Sequence, residues 1–127
     1  MARPSISADV GGIHLDKHVG GIRNLGDKNL LTIWIPIKGF NQEYTLNFAP
    51  GSHKFDHPEN RIEEDSKYIS MTYDDDYTGK FKYHRPKLNL GQGGIFDPNL
   101  LHGASYNLGV DTRVSIELRL FNAKTKY

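Results

Sequence analysis

The stretch Arg113-Val114-Ser115-Ile116-Glu117-Leu118-Arg119-Leu120 decides the fold class. In an extended chain successive side chains point to opposite faces, so Arg113, Ser115, Glu117 and Arg119 share one face and Val114, Ile116, Leu118 and Leu120 share the other. The first face must meet a polar interior or solvent, and the second needs cover.

Working outward, seven further runs rich in β-branched and aromatic residues read as strands: Ile6 to Val10, Ile13 to Lys17, Leu30 to Ile37, Tyr44 to Ala49, Tyr68 to Tyr73, Phe81 to His84 and Gly94 to Asp97. With Arg113 to Phe121 they make eight. Helical periodicity is nearly absent. Pro58 to Lys67 is the best candidate for a helical turn, with Glu59, Glu63 and Glu64 behind a proline, but it has almost no apolar face to bury. Short strands separated by Gly, Pro, Asn and Asp are what a jelly roll or barrel requires, so the expected fold class is all-β.

The chain has 127 residues, 37% hydrophobic and 11% aromatic, enough for one ordinary core, and a single domain over residues 1–127 is the expectation. Sixteen Lys and Arg against fifteen Asp and Glu leave a net charge of +1 with no long block of one sign, so nothing points to nucleic acid. The absence of cysteine removes disulfide frameworks, thiolate metal sites and cysteine nucleophiles. No signal-like start is visible, and the longest apolar run, Leu30 to Ile37, is too short to span a bilayer. The expectation is a cytoplasmic protein with no membrane partner.

Any metal site must therefore use histidine and carboxylate. In Ile13-His14-Leu15-Asp16 the two-residue period places His14 and Asp16 on one face, with Cα atoms roughly 6.5 Å apart, so an imidazole and a carboxylate can converge on one ion. His102 is the best third ligand: Gly94-Ile95-Phe96-Asp97 reads as a strand, Pro98 breaks it, and Leu100-Leu101-His102-Gly103 resumes with an imidazole between apolar and small neighbours. The competing reading of His102 is a structural histidine bonded to backbone. His18, His53, His57 and His84 are assigned no role. Two imidazoles and one carboxylate suit non-haem Fe(II), because three positions stay open for a bidentate cosubstrate and dioxygen, but zinc takes the same ligands.

Eleven residues after His102 lies Arg113, with Ser115 on the same face. A guanidinium accepts a carboxylate through two parallel hydrogen bonds and a neighbouring hydroxyl adds a donor, which is what a metal-chelating dicarboxylate needs at its far end. The arginine favours the oxidative reading over zinc hydrolysis.

In order along the chain, His14-Leu15-Asp16, Leu31-Thr32-Ile33-Trp34-Ile35-Pro36-Ile37, Ala49-Pro50-Gly51-Ser52-His53-Lys54, Gly91-Gln92-Gly93-Gly94-Ile95-Phe96-Asp97, His102-Gly103 and Arg113 resemble the phytanoyl-CoA dioxygenase-like branch of the Fe(II)/2-oxoglutarate oxygenases. The resemblance runs from about Gly12 to Phe121. It implies a double-stranded β-helix of the cupin-like jelly-roll kind, with iron bound by His14, Asp16 and His102. It also implies Arg113 on the distal carboxylate of 2-oxoglutarate, Ser115 assisting it, and Trp34 lining the cosubstrate pocket. The reaction implied is hydroxylation of a small-molecule substrate with Fe(II), 2-oxoglutarate and dioxygen, releasing succinate and CO2. Asp16 argues against halogenation, which normally needs a small residue there. The Pro-Gly-Ser-His segment reads as a structural turn with Gly51 at positive φ.

Family members usually carry helices before the His-x-Asp motif, whereas thirteen residues precede His14, so a minimal core is implied. The apolar face of Val114, Ile116, Leu118 and Leu120 would then be exposed, and a homo-oligomer, most simply a dimer, is the expected way to cover it. The rival functions are a cupin-like metal-dependent isomerase or hydrolase, which would not need Arg113, and a non-catalytic jelly-roll binding module.

Overall fold

The structure, a computed structural model, describes residues 12–16, 30–39, 45–58, 73–103 and 112–121. Its described residues form antiparallel sheets with almost no helix. The chain is an all-β jelly-roll core, as the alternation predicts.

The larger sheet is built on β1 (Leu30–Lys38), flanked antiparallel by β3 (Gly94–Phe96) and β5 (Val114–Phe121). Its register puts Thr32 opposite both Phe96 and Arg119, Trp34 opposite Gly94 and Glu117, and Pro36 opposite Ser115. Directly opposed residues share a face. The buried Thr32, Trp34 and Pro36 therefore define an inner face that Phe96, Arg119, Glu117 and Ser115 also line. Pro36 has no N–H to give a ladder, and the register with β5 shifts between Pro36 and Lys38, where a bulge absorbs the lost bond.

The smaller sheet pairs β2 (Asn47–Phe48) with β4 (His102–Gly103), Phe48 opposite His102. Short antiparallel pairings extend it on both sides, His14 against His102 and Phe48 against His84. Gly103 permits the first: a Cβ there would meet Ile13 Cδ1 at 2.9 Å and the Gly12 carbonyl at 3.1 Å.

The apolar core among the described residues is Leu15, Ala49 and Leu101, with Ile13, Tyr73, Tyr77, Phe81 and Tyr83 packed against it. Leu15 is the neighbour of His14 and Asp16, Ala49 of Phe48, and Leu101 of His102. By alternation this core lies on the face of the smaller sheet opposite the histidines.

Some sequence expectations shorten. Tyr44 to Ala49 pairs only at Asn47–Phe48, and of Ile13 to Lys17 only His14 joins a ladder among the described residues. Phe81 to His84 is no strand beyond the His84 pairing, because the chain there is closing a turn, with Phe81 N–H on the Thr78 carbonyl. The acidic stretch Tyr73 to Tyr77 starts α1 (Asp75–Thr78), with Asp74 accepting from Tyr77 N–H at 2.8 Å as its cap. Ile6 to Val10, Glu59 to Lys67 and Tyr68 to Thr72 lie outside the described residues.

Candidate metal centre

His14 and His102 exchange both backbone hydrogen bonds, His14 N–H to the His102 carbonyl at 2.9 Å and the reverse at 3.2 Å. Such a pair sets its two side chains side by side on one face, and the ring centroids are 4.4 Å apart. Each ring is oriented from its own backbone. His14 Nδ1 lies 2.8 Å from the Gly12 carbonyl, and His102 Nδ1 lies 2.9 Å from the Leu100 carbonyl. A carbonyl only accepts, so each Nδ1 carries a hydrogen and each Nε2 is turned into the interior, where it donates to a carboxylate when protonated and offers a lone pair to a metal when not.

Asp16, two residues from His14 on the same face, completes the group. Its Oδ1 is 3.6 Å from His14 Nε2 and 3.4 Å from His102 Nε2. One ligand atom from each of the three lies within 4.8 Å of the others. Ligands at about 2.1 Å from a common ion and at right angles would be about 3 Å apart, so the spacing fits an ion after a small contraction. Asp16 is fully buried, and a buried carboxylate beside two imidazole Nε2 atoms that can give up their protons is a ready place for a cation.

The larger sheet holds the carboxylate from the other side. Thr32 Oγ1 donates to Asp16 Oδ2 at 2.6 Å, and Arg119 Nη2 lies 3.3 Å from Asp16 Oδ1 while also pairing with Glu117. Burial alone pushes the Asp16 carboxyl up. Hydrogen bonds from His102, His14 and Thr32, with the His102 charge, overcome it and hold the group well below the usual carboxylate range. For His14, burial pulls the ring down, but Asp16 and the Gly12 carbonyl more than offset it, leaving the imidazole raised. Metal binding thus meets a ready carboxylate anion.

The turn after β2 fixes the position of His102. Gly51, at φ 83°, is in the left-handed conformation expected of it and opens a 3₁₀ turn, Ser52–Lys54. The buried Ser52 Oγ accepts from Leu101 N–H at 2.8 Å, one residue before the ligand. The Ser52 carbonyl is met by His57 Nε2 at 2.7 Å, and His57 Nδ1 pairs with Tyr77 hydroxyl at 2.7 Å. His57 is thus structural, a role no sequence signal gave it.

Beside the triad is a cavity of about 480 Å3, lined largely by apolar groups that include Trp34, Leu46, Phe48, Phe96 and Leu100, with His53 and Asp97 among its polar members. Phe96 joins it to the metal group, its ring centroid 4.6 Å from that of His102.

The structure therefore brings His14, Asp16 and His102 together, and puts Trp34 in the wall of the adjoining cavity. Arg113 immediately precedes β5, half-buried, with its guanidinium pulled down by burial, and its backbone lies against Gly39. Ser115 is exposed on the inner face of β5, opposite Pro36. Thr32, Ser52 and Arg119 act on the triad and were not singled out from sequence. Arg119 carried a signal, the parity it shares with Arg113, Ser115 and Glu117 on the alternating strand, whereas Thr32 was marked only as a polar residue within an apolar run. Ser52 carried only a turn signal.

The family model described as Phytanoyl-CoA dioxygenase (PhyH) matches residues 1–115, which include the triad, Trp34 and Arg113. No curated protein matches this chain.

Proposed function

Because this chain belongs to the phytanoyl-CoA dioxygenase family, we propose that it is an Fe(II)- and 2-oxoglutarate-dependent oxygenase that hydroxylates a small-molecule substrate with release of succinate and CO2. Family membership indicates a dioxygenase-type enzyme. The observation that carries it is the convergence of His14 Nε2, His102 Nε2 and Asp16 Oδ1, with both Nδ1 atoms committed to backbone carbonyls.

His14, Asp16 and His102 would hold the iron, which supplies, with dioxygen and the 2-oxo acid, the oxidising equivalent for a substrate C–H bond. The remaining tasks fall to the chain itself. Gly12 and Leu100 carbonyls fix the two imidazoles in the tautomer that offers Nε2. Thr32 orients the carboxylate so that Oδ1 faces the histidines. Arg113, with Ser115, takes the distal carboxylate of 2-oxoglutarate, and the Trp34 and Phe96 rings close the cavity wall against water.

The test is direct. Protein purified without oxygen is mixed with Fe(II), 2-oxoglutarate and dioxygen, and succinate is followed over time. Slow formation without a prime substrate is the expected outcome, accompanied by a raised Tm with Mn(II) and 2-oxoglutarate together. No succinate and no thermal stabilisation would overturn the reading.

A further inference from the structure

Arg119 is the most unusual side chain of the site. Its Nη2 shares Asp16 Oδ1 with both imidazoles, and Glu117 takes the same nitrogen from the solvent side. Its Nε is buried and has no hydrogen-bond partner among the described residues. A buried guanidinium donor with no acceptor is costly unless a ligand supplies one. Moreover, Asp16 Oδ1 cannot serve a divalent ion and Arg119 Nη2 at full strength at once, since two cations would crowd one oxygen. In the metal-loaded protein Arg119 keeps Glu117 on Nη2 but still has an unsatisfied Nε, and the anion that would arrive beside it is the chelating end of the cosubstrate.

We infer that Arg119 is a second anion anchor, which receives the carboxylate next to the ketone of a 2-oxo acid, while Glu117 holds the guanidinium in place until that acid binds. The inference rests on the oxygenase reading above and deepens it. Arg119 sits on the rung of the larger sheet that touches the triad, opposite Thr32. Arg113 is six residues earlier and shares its parity, about 20 Å away along an extended strand. Two long side chains reaching toward each other over that span leave a gap on the order of a five-carbon dicarboxylate. One strand would thus grip both ends of the cosubstrate, Arg119 at the metal and Arg113 at the far end.

The test uses the full chain loaded with Mn(II) without oxygen, and measures by calorimetry the affinity for Mn(II), for 2-oxoglutarate and for 2-oxobutyrate, which has only the metal-side carboxylate. R119Q is expected to weaken both acids by tenfold or more while leaving Mn(II) affinity unchanged or tighter, because a competing cation has gone. R113Q is expected to weaken 2-oxoglutarate alone. If R119Q weakens Mn(II) as much as it weakens the acids, or leaves both acids unaffected, Arg119 only orients Asp16 and the inference is overturned. Should R119Q fail to melt cooperatively, R119K carries the same comparison, with a smaller loss of both acids expected and an unchanged affinity for either counting against the inference. A wild-type protein that binds Mn(II) but neither acid refutes the oxygenase reading itself, whereas binding of both acids without dependence on Arg119 refutes only the anchor.

Discussion

The two sheets present opposite solutions to the same problem, which is how to cover the face turned away from the metal group. Behind the smaller sheet, Leu15, Ala49 and Leu101 are buried under Tyr73, Tyr77, Phe81 and Tyr83, and His57 ties that aromatic cover to the Ser52 turn. Behind the larger sheet, Leu31, Ile37, Ile95, Val114, Ile116, Leu118 and Leu120 form an apolar outer face whose side chains stay about half-exposed or more. The difference maps onto chemistry. All three candidate ligands belong to the covered sheet or to the strand paired with it, where backbone bonds and packing fix each ring. The open sheet contributes Thr32 and Arg119 to the far side of Asp16, and Trp34 and Phe96 to the cavity wall. A metal centre needs positions held to a fraction of an ångström, and among the described residues the backbone pairing and packing behind the smaller sheet meet that need for the two imidazoles.

The contrast breaks first at Leu101. It is fully buried between the core and His102, so Leu101→Ala should cost about 2–5 kcal/mol. Denaturant unfolding of the metal-free protein measures it. A cost under 1 kcal/mol would mean the smaller sheet is no more consolidated than the larger one.

Ser52→Ala should come next. It strips the buried Leu101 N–H of its acceptor, which costs about 1–3 kcal/mol when nothing replaces it. The same denaturation experiment reads it, and recovery of stability in Ser52→Thr would assign the loss to the hydroxyl. Thr32→Val then tests the bridge between the sheets. Removing the 2.6 Å bond to Asp16 Oδ2 while keeping the shape should weaken Mn(II) binding on the order of tenfold, measured by titration, and should cost about 1–3 kcal/mol of metal-free stability because a buried carboxylate oxygen loses its donor. An unchanged Mn(II) affinity would show that the histidines alone orient the carboxylate.

How much of this was legible in the sequence follows from range. The alternation of Arg113 to Leu120 and the His14, Asp16 pair are local patterns with a fixed two-residue period, so the fold class and the juxtaposition of two candidate ligands could be read directly. His102 needed a long-range pairing, but its apolar setting and the ordered motifs supplied it. Arg119 was written in the same alternation as Arg113, yet nothing local says which rung of β5 meets the triad. That is decided by the register of β5 on β1, a property of two segments far apart in the chain. The helical turn at Asp75–Thr78 and the structural role of His57 leave no local pattern, because the groups that pack against them are distant in the chain.

The smallest effect on the folded chain, and the sharpest statement about the open face, concerns Ile116 and Leu118. They are 43% and 45% exposed, so replacing both by threonine removes little buried area and keeps β-propensity, and metal-free stability in dilute solution should change by no more than about 0.5 kcal/mol per site. The outer face extends over strands of nine, eight and three residues, a plan area on the order of 300 Å2 to which the relief of its half-exposed side chains adds, against the roughly 800 Å2 per partner of a standard interface. A second copy of the chain offers a matching apolar surface by symmetry, and we propose it as the cover. Light scattering should then give twice the 14.4 kDa chain mass for the wild type and the single-chain mass for the double variant. A wild-type protein that stays at one chain mass at high concentration would remove the dimer, and the two outer faces would then differ in what they bury without differing in what they bind.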